Sequence, residues 1–244
     1  MKPALHFPRI GKTLLAAALV AMAGTAAAGK AIEGDIDAAK ALAFLYGNQA
    51  KASPVFDAKY TEHGKEKYIM LTKTGADPNT GGDDIFGAAV FANNGGQWTL
   101  EVENRNIPQE PLCRLDNDDK PILARVGSDK HGILIHASLG GSRTNYECPT
   151  VLLPDGGSIR SVLIGEFASG ICSDGMVCGE IQVRASFDEQ SAGEYYDAVV
   201  RYIDVGNKGK AGSRRFQFRD GEYHEVASPK AAKKGGKKGA KKRK

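Results

Sequence analysis

Residues 126–167 carry the longest patterned stretch of the chain, and their apolar positions read as a β-meander. Residues 131–138 are dense in aliphatic and β-branched side chains, and a second run covers 146–153. The turn Pro154-Asp155-Gly156-Gly157 then reverses the chain, and 158–167 returns as a third strand. Elsewhere apolar and polar positions alternate with period two. Ile181, Val183, Ala185 and Phe187 interleave with Gln182, Arg184 and Ser186, and Trp98, Leu100 and Val102 interleave with Thr99, Glu101 and Glu103. That pattern predicts strands with one buried and one wet face. Further strands are expected at 68–73, 85–92, 195–205, 214–219 and 222–226, separated by Gly-, Asn- and Pro-rich loops at 75–84, 104–120 and 206–213.

Helical periodicity occurs near the N-terminus, at 36–46. Asp35 fits as its N-cap, Asp35 and Asp37 suit the positive end of the helix dipole, and Gly47 stands just past the end. A helix of about three turns is not stable alone in water, so Ile36, Leu42, Phe44 and Leu45 are expected to pack on the sheet. The predicted fold is therefore all-β, mainly antiparallel hairpins and meanders, arranged as a sandwich, a barrel or a small propeller-like array, with one short N-terminal helix. Gly96, Gly157 and Gly221 recur about 60 residues apart, and each is followed two residues on by Trp98, Ile159 or Tyr223. The recurrence suggests a repeated hairpin without the self-similarity of a solenoid.

The ends of the chain change this picture. Lys2, Arg9 and Lys12 precede an apolar run, and Ala26-Ala27-Ala28 supplies small residues at a cleavage point, so 1–28 reads as an export signal. The apolar run falls short of the roughly 20 residues a membrane-spanning helix needs, and no later segment approaches that length. Periplasmic or secreted location follows as an expectation. In an oxidising compartment, Cys113, Cys148, Cys172 and Cys178 are expected to form disulfides. Of the three possible connectivities, the short gap favours Cys172 with Cys178, leaving Cys113 for Cys148. The longer bridge would contribute ~3–4 kcal/mol by loop entropy. No cysteine pair has the zinc-site Cys-x2-Cys spacing.

Charge divides sharply. Residues 230–244 hold Lys230, Lys233, Lys234, Lys237, Lys238, Lys241, Lys242, Arg243 and Lys244 and no acid, while residues 29–229 carry 21 basic against 29 acidic residues, a net of −8. The basic segment resembles, in composition, the lysine-rich tails of linker histones and of bacterial histone-like proteins. It lacks the apolar residues to build a core and is expected to remain a disordered tail from 228 onward, leaving 29–227 as a single β-rich domain. Such a tail is attracted to anionic lipid or polymer, and to nucleic acid, with strong salt dependence.

Catalytic signals are sparse. Gly-x-Ser-x-Gly, His-Glu-x-x-His and Ser-x-x-Lys with its companion motifs do not occur. The acid-rich Asp116-Asn117-Asp118-Asp119 lacks the rest of a calcium loop, since Lys120 stands where a ligand is needed, and it reads with Asp83-Asp84 as solvated loop. His131 and His136 are five apart on one strand and point to opposite faces, so they cannot share a metal. Arg184, Arg201, Arg215 and Arg219 would form a basic strip if the C-terminal strands are neighbours. The expected function is a non-catalytic binding protein of the bacterial cell envelope, with a protein or saccharide as partner of the β domain, and in one variant an inhibitor or immunity-type protein. No cofactor or metal is predicted. A hydrolase whose carboxylates converge only in the fold, and a nucleic-acid binder working through the tail, are the alternatives.

Overall fold

The computed structural model describes residues 30–47, 51–75, 85–108, 120–140, 145–168, 181–204 and 210–227. They form antiparallel sheets with one short helix. The first sheet contains β1 (Ala31–Glu33), β2 (Ala52–Glu62), β3 (Lys65–Thr74), β4 (Ile85–Asn93) and β5 (Gln97–Asn104), in the order β1-β5-β4-β3-β2. The second is a meander of β6 (Ile122–Gly127), β7 (Lys130–Gly140), β8 (Asn145–Asp155) and β9 (Ser158–Leu163), with β10 (Phe167–Ala168) continuing along β8 beyond β9. The third is the meander β11 (Ile181–Asp188), β12 (Asp197–Asp204), β13 (Lys210–Arg219) and β14 (Glu222–Val226). The basic tail lies outside the described residues.

The second sheet lies between the other two. Ile133, Ile135, Leu152 and Ile159 share one core with Ile69, Leu71, Val90 and Val102 of the first sheet. Their chain neighbours Leu134, Val151 and Leu153 share another with Val183, Val200, Phe216 and Tyr223 of the third. A strand covered on both faces has no wet positions, so Gly-Ile-Leu-Ile at 132–135 and Thr-Val-Leu-Leu at 150–153 run apolar without alternation.

The helix α1 (Ala38–Tyr46) covers the far face of the first sheet, where Ala41 and Leu45 meet Tyr68, Met70, Phe91 and Trp98. Phe44 stands edge-on to Phe91 at 5.4 Å, and the Trp98 indole N–H donates to the Gly34 carbonyl at 3.0 Å. The cap is Asp37 rather than Asp35: its Oδ1 accepts from the Lys40 N–H at 2.8 Å. Asp35 is two residues too early and pairs with Lys59 of β2 instead. The helix also corrects the expected one-sided burial of the β4–β5 hairpin, because β4 is buried on both faces.

Three sets of strands differ from the sequence reading. β1, β2 and β6 were not anticipated: β1 is three residues long, and β2 is an edge strand of which only Tyr60 is buried. Residues 158–167 do not form one strand, since the chain leaves the ladder at 164–166, where the Ile164 N–H donates to the Pro149 carbonyl. β13 begins at Lys210, not 214. Its Gly212 lies beneath the Tyr202 ring, where a β-carbon would approach the phenol oxygen to 2.4 Å, so a residue typical of loops is required within the strand.

The recurring glycines occupy one structural place. Each meander closes on a two-residue turn with positive φ at both central positions: 69° and 91° at Gly95-Gly96, 57° and 91° at Gly156-Gly157, 53° and 89° at Asp220-Gly221. These are the turns whose twist matches paired strands, and the apolar residue two positions after the second central glycine (Trp98, Ile159 or Tyr223) is buried each time. Cross-sheet contacts gather the tight turns at one end: Lys130–Glu194 at 2.9 Å, Arg125–Glu189 at 3.4 Å, and the Tyr196 N–H on the Val126 carbonyl at 2.7 Å. Cys148, near the start of β8, lies at the opposite end and is completely buried.

Candidate functional site

The outer face of the third sheet is the most distinctive surface. Strands β11 to β14 are neighbours in sequence order, so their outward residues form rows across the sheet. Inward positions such as Val183, Val200 and Phe216 are buried against the second sheet. Outward, Arg184 is the direct cross-strand partner of Arg201, and Arg201 of Ser213; all three are exposed. The adjacent row is Ser186, Val199, Arg215 and Val226, and the row on the other side is Gln182, Ile203 and Ala211.

The expected arginine strip is thus partly assembled. Arg215 sits beside the pair but is matched twice, by Asp197 at 2.8 Å and Asp188 at 2.7 Å, and these acids hold its guanidinium above the ordinary arginine value. Arg219 lies at the turn and donates to the side chain of Gln217. The other described arginines are also engaged: Arg105 with Glu103, Arg125 with Glu189, Arg160 with Asp155, and Arg214 with Glu225. Arg184 and Arg201 have neither a hydrogen bond nor an ion pair among the described residues, and they face each other. Like charges placed directly opposite in a ladder oppose folding.

Behind the pair, the edge of β11 is closed by His136 of β7, whose Nε2 accepts the Ala185 N–H at 3.1 Å. Burial, with help from the nearby Arg184 charge, pushes the imidazole below the ordinary histidine value, so it is neutral and able to accept. His131 points the other way, against the Tyr60 ring at 4.8 Å, as the five-residue spacing requires.

A second cluster lies at the β2–β3 hairpin end of the first sheet. Lys67 Nζ is 2.5 Å from Glu62 and 2.7 Å from Glu101, with the lysine side chain only 10% exposed. Glu101 stands on β5 at a bulge: Val90 pairs with Val102 and Phe91 with Leu100, so Glu101 is unpaired and shares the Lys67 side with Val102, while Trp98 and Leu100 face the helix. Burial alone would lower the Lys67 pKa, but the hydrogen bonds it donates to Glu101 and Glu62 outweigh it and hold the ammonium above its usual value. Two carboxylates therefore do converge, yet both meet one ammonium rather than an open cleft. The period-two pattern at 97–103 predicts Val102 on one face with Trp98 and Leu100; the structure places it on the other, beside Glu101, because a bulge reverses facing without altering composition.

A groove of about 410 Å³ runs between β9 and β14, lined by Arg160, Ser161, Asp220, Glu222 and Tyr223. Arg160 is already held by Asp155 at 2.8 Å and by the Gly221 carbonyl. Among the described residues no group of three or more His, Cys, Asp or Glu is placed to hold a metal ion, no cysteine is free, and no helix is long and apolar enough to cross a membrane. Cys113, Cys172, Cys178, the acidic pairs at 83–84 and 116–119, and the nine tail cations lie outside the described residues. No protein-family model, curated protein or solved structure matches this chain.

Proposed function

We propose that the chain is an exported, non-catalytic binding protein of the bacterial cell envelope, in which the β domain contacts a protein or saccharide and residues 230–244 draw it to anionic surfaces. The division of charge carries this reading: nine cations without an acid at 230–244, against a net of −8 in 29–229. Each cation held at an anionic surface is worth ~1 kcal/mol, so four engaged together amount to about a thousandfold in affinity. The test uses the full mature chain and a full-length variant with the nine tail cations replaced by glutamine, on phosphatidylcholine vesicles with and without phosphatidylglycerol across a salt series. The native chain is expected to bind the anionic vesicles and release them as salt rises, and the variant to bind about a hundredfold more weakly or worse. Equal binding by the two would remove the tail from the function.

Export also implies the bridges Cys113–Cys148 and Cys172–Cys178. Support comes from the burial of Cys148 and from the fold, which brings Pro108, Lys120, Ala168 and Ile181, the described residues flanking the other cysteines, to the end of the sheets where β8 begins. Peptide mapping of the non-reduced mature protein is expected to recover those two linked pairs. A peptide joining Cys148 to Cys172 or Cys178 would overturn the pairing.

A further inference from the structure

We infer that Arg184 and Arg201 form a phosphate-binding subsite on the outer face of the third sheet. The inference goes beyond the reading above by adding an anion site to the β domain, and rests on that reading only for the envelope surface that would present the phosphate. Three observations converge. The two arginines are direct cross-strand partners on an exposed face. They alone among the described arginines lack a hydrogen bond or ion pair, although Asp188 and Asp197 stand on the same face and bind Arg215 instead. Hydroxyl and amide groups surround them: Ser213 continues their row, and Gln182 and Ser186 flank Arg184 two residues away on β11.

Two unneutralised guanidinium groups side by side oppose folding until an anion bridges them. A phosphate suits the pair because its oxygens accept from two planar forks at once and its charge offsets both. The third sheet also ends in β14, whose last residue Val226 closes the Arg215 row beside the pair, and in the sequence the basic segment begins four residues later at Lys230. A phosphate carried by a lipid headgroup would engage both, and a free phosphate only the pair.

The experiment is done in the full-length chain with the glutamine-substituted tail, so that tail binding contributes nothing. Inorganic phosphate is titrated while the arginine Nε–H resonances are followed, and binding to phosphatidylglycerol-containing vesicles is measured in parallel. Arg184→Gln and Arg201→Gln are each expected to weaken binding about tenfold, and Arg184→Lys to lose part of it by keeping the charge without the fork. Without anion, the glutamine variants should unfold at the same or a higher temperature than their parent, because a like-charge contact is relieved; a merely structural role would lower it. Arginine-dependent binding of free phosphate assigns a soluble ligand, and arginine-dependent binding of vesicles alone assigns a headgroup; either supports the site. Absence of binding in both arms, or binding unchanged by the substitutions, overturns it. Failure of the tail would show only in the earlier comparison and leaves this one intact.

Discussion

Ile133→Ala and Leu134→Ala are each expected to destabilise the protein by ~2–5 kcal/mol, the usual cost of emptying a well-packed aliphatic site. The two residues are consecutive on β7, so their side chains point to opposite faces. Both are buried, Ile133 against the first sheet and Leu134 against the third. In a two-layer sandwich one of any such pair would face water, and its truncation would cost little. Total stabilities of domains are ~5–15 kcal/mol, so either change should move the urea midpoint strongly while leaving the slope unchanged. Ile203→Ala serves as the control: Ile203 is 45% exposed on the outer face of the third sheet, and its loss should stay within ~0.5 kcal/mol. A small effect at either Ile133 or Leu134 would refute the three-sheet stack.

The same residues show why the fold class was legible and its layering was not. Strand and turn chemistry are local: Asp155-Gly156-Gly157 and Asp220-Gly221 announce hairpins wherever they occur, and the structure has them there with positive φ. Whether a run such as Ile133-Leu134-Ile135 is covered on one face or two depends on what arrives from elsewhere in the chain. The helix made the same difference for β4, whose outer face would be wet without Leu45 and Ala41 above it. Boundaries failed where one side chain decides them, as at the cap, where Asp35 and Asp37 are chemically equal and only Asp37 reaches the Lys40 N–H. Gly212 failed for another reason: in sequence it resembles a loop glycine, and only the Tyr202 ring above it shows why a strand needs it.

For the candidate site, the arginine types and their outward parity were readable at 184, 201, 215 and 219. Their division into matched and unmatched charges was not, because it depends on register. Residue Asp197 is one position before Ala198, which pairs with Phe216, and that register sets its carboxylate beside Arg215 rather than Arg201. Neither the first sheet's bulge nor its consequence, Val102 and Glu101 on one face, has a compositional signature. That limit applies to polar clusters built from separate strands in general, and the Lys67 cluster is the clearest case here.

Lys67→Met is accordingly expected to cost about 3 kcal/mol at neutral pH, more than its loss of packing would suggest. The methionine fills the lysine's volume, but Glu62, 15% exposed, and Glu101, 44% exposed, lose the ammonium they share. Two carboxylates without their cation repel each other and resist desolvation. Salt screens the repulsion between them, so the penalty should shrink as ionic strength rises. The partial exposure of Glu101 keeps the cost at the low end of the ~3–5 kcal/mol seen when one member of a buried ion pair is removed. Adding Glu101→Gln to Lys67→Met should restore part of the loss and flatten its salt dependence, since one stranded charge is gone. Urea unfolding of the three proteins across a salt series at neutral pH checks this. A penalty for Lys67→Met that does not change with salt would mean that water, not Lys67, balances Glu62 and Glu101, and that the bulge at Glu101 serves no electrostatic purpose.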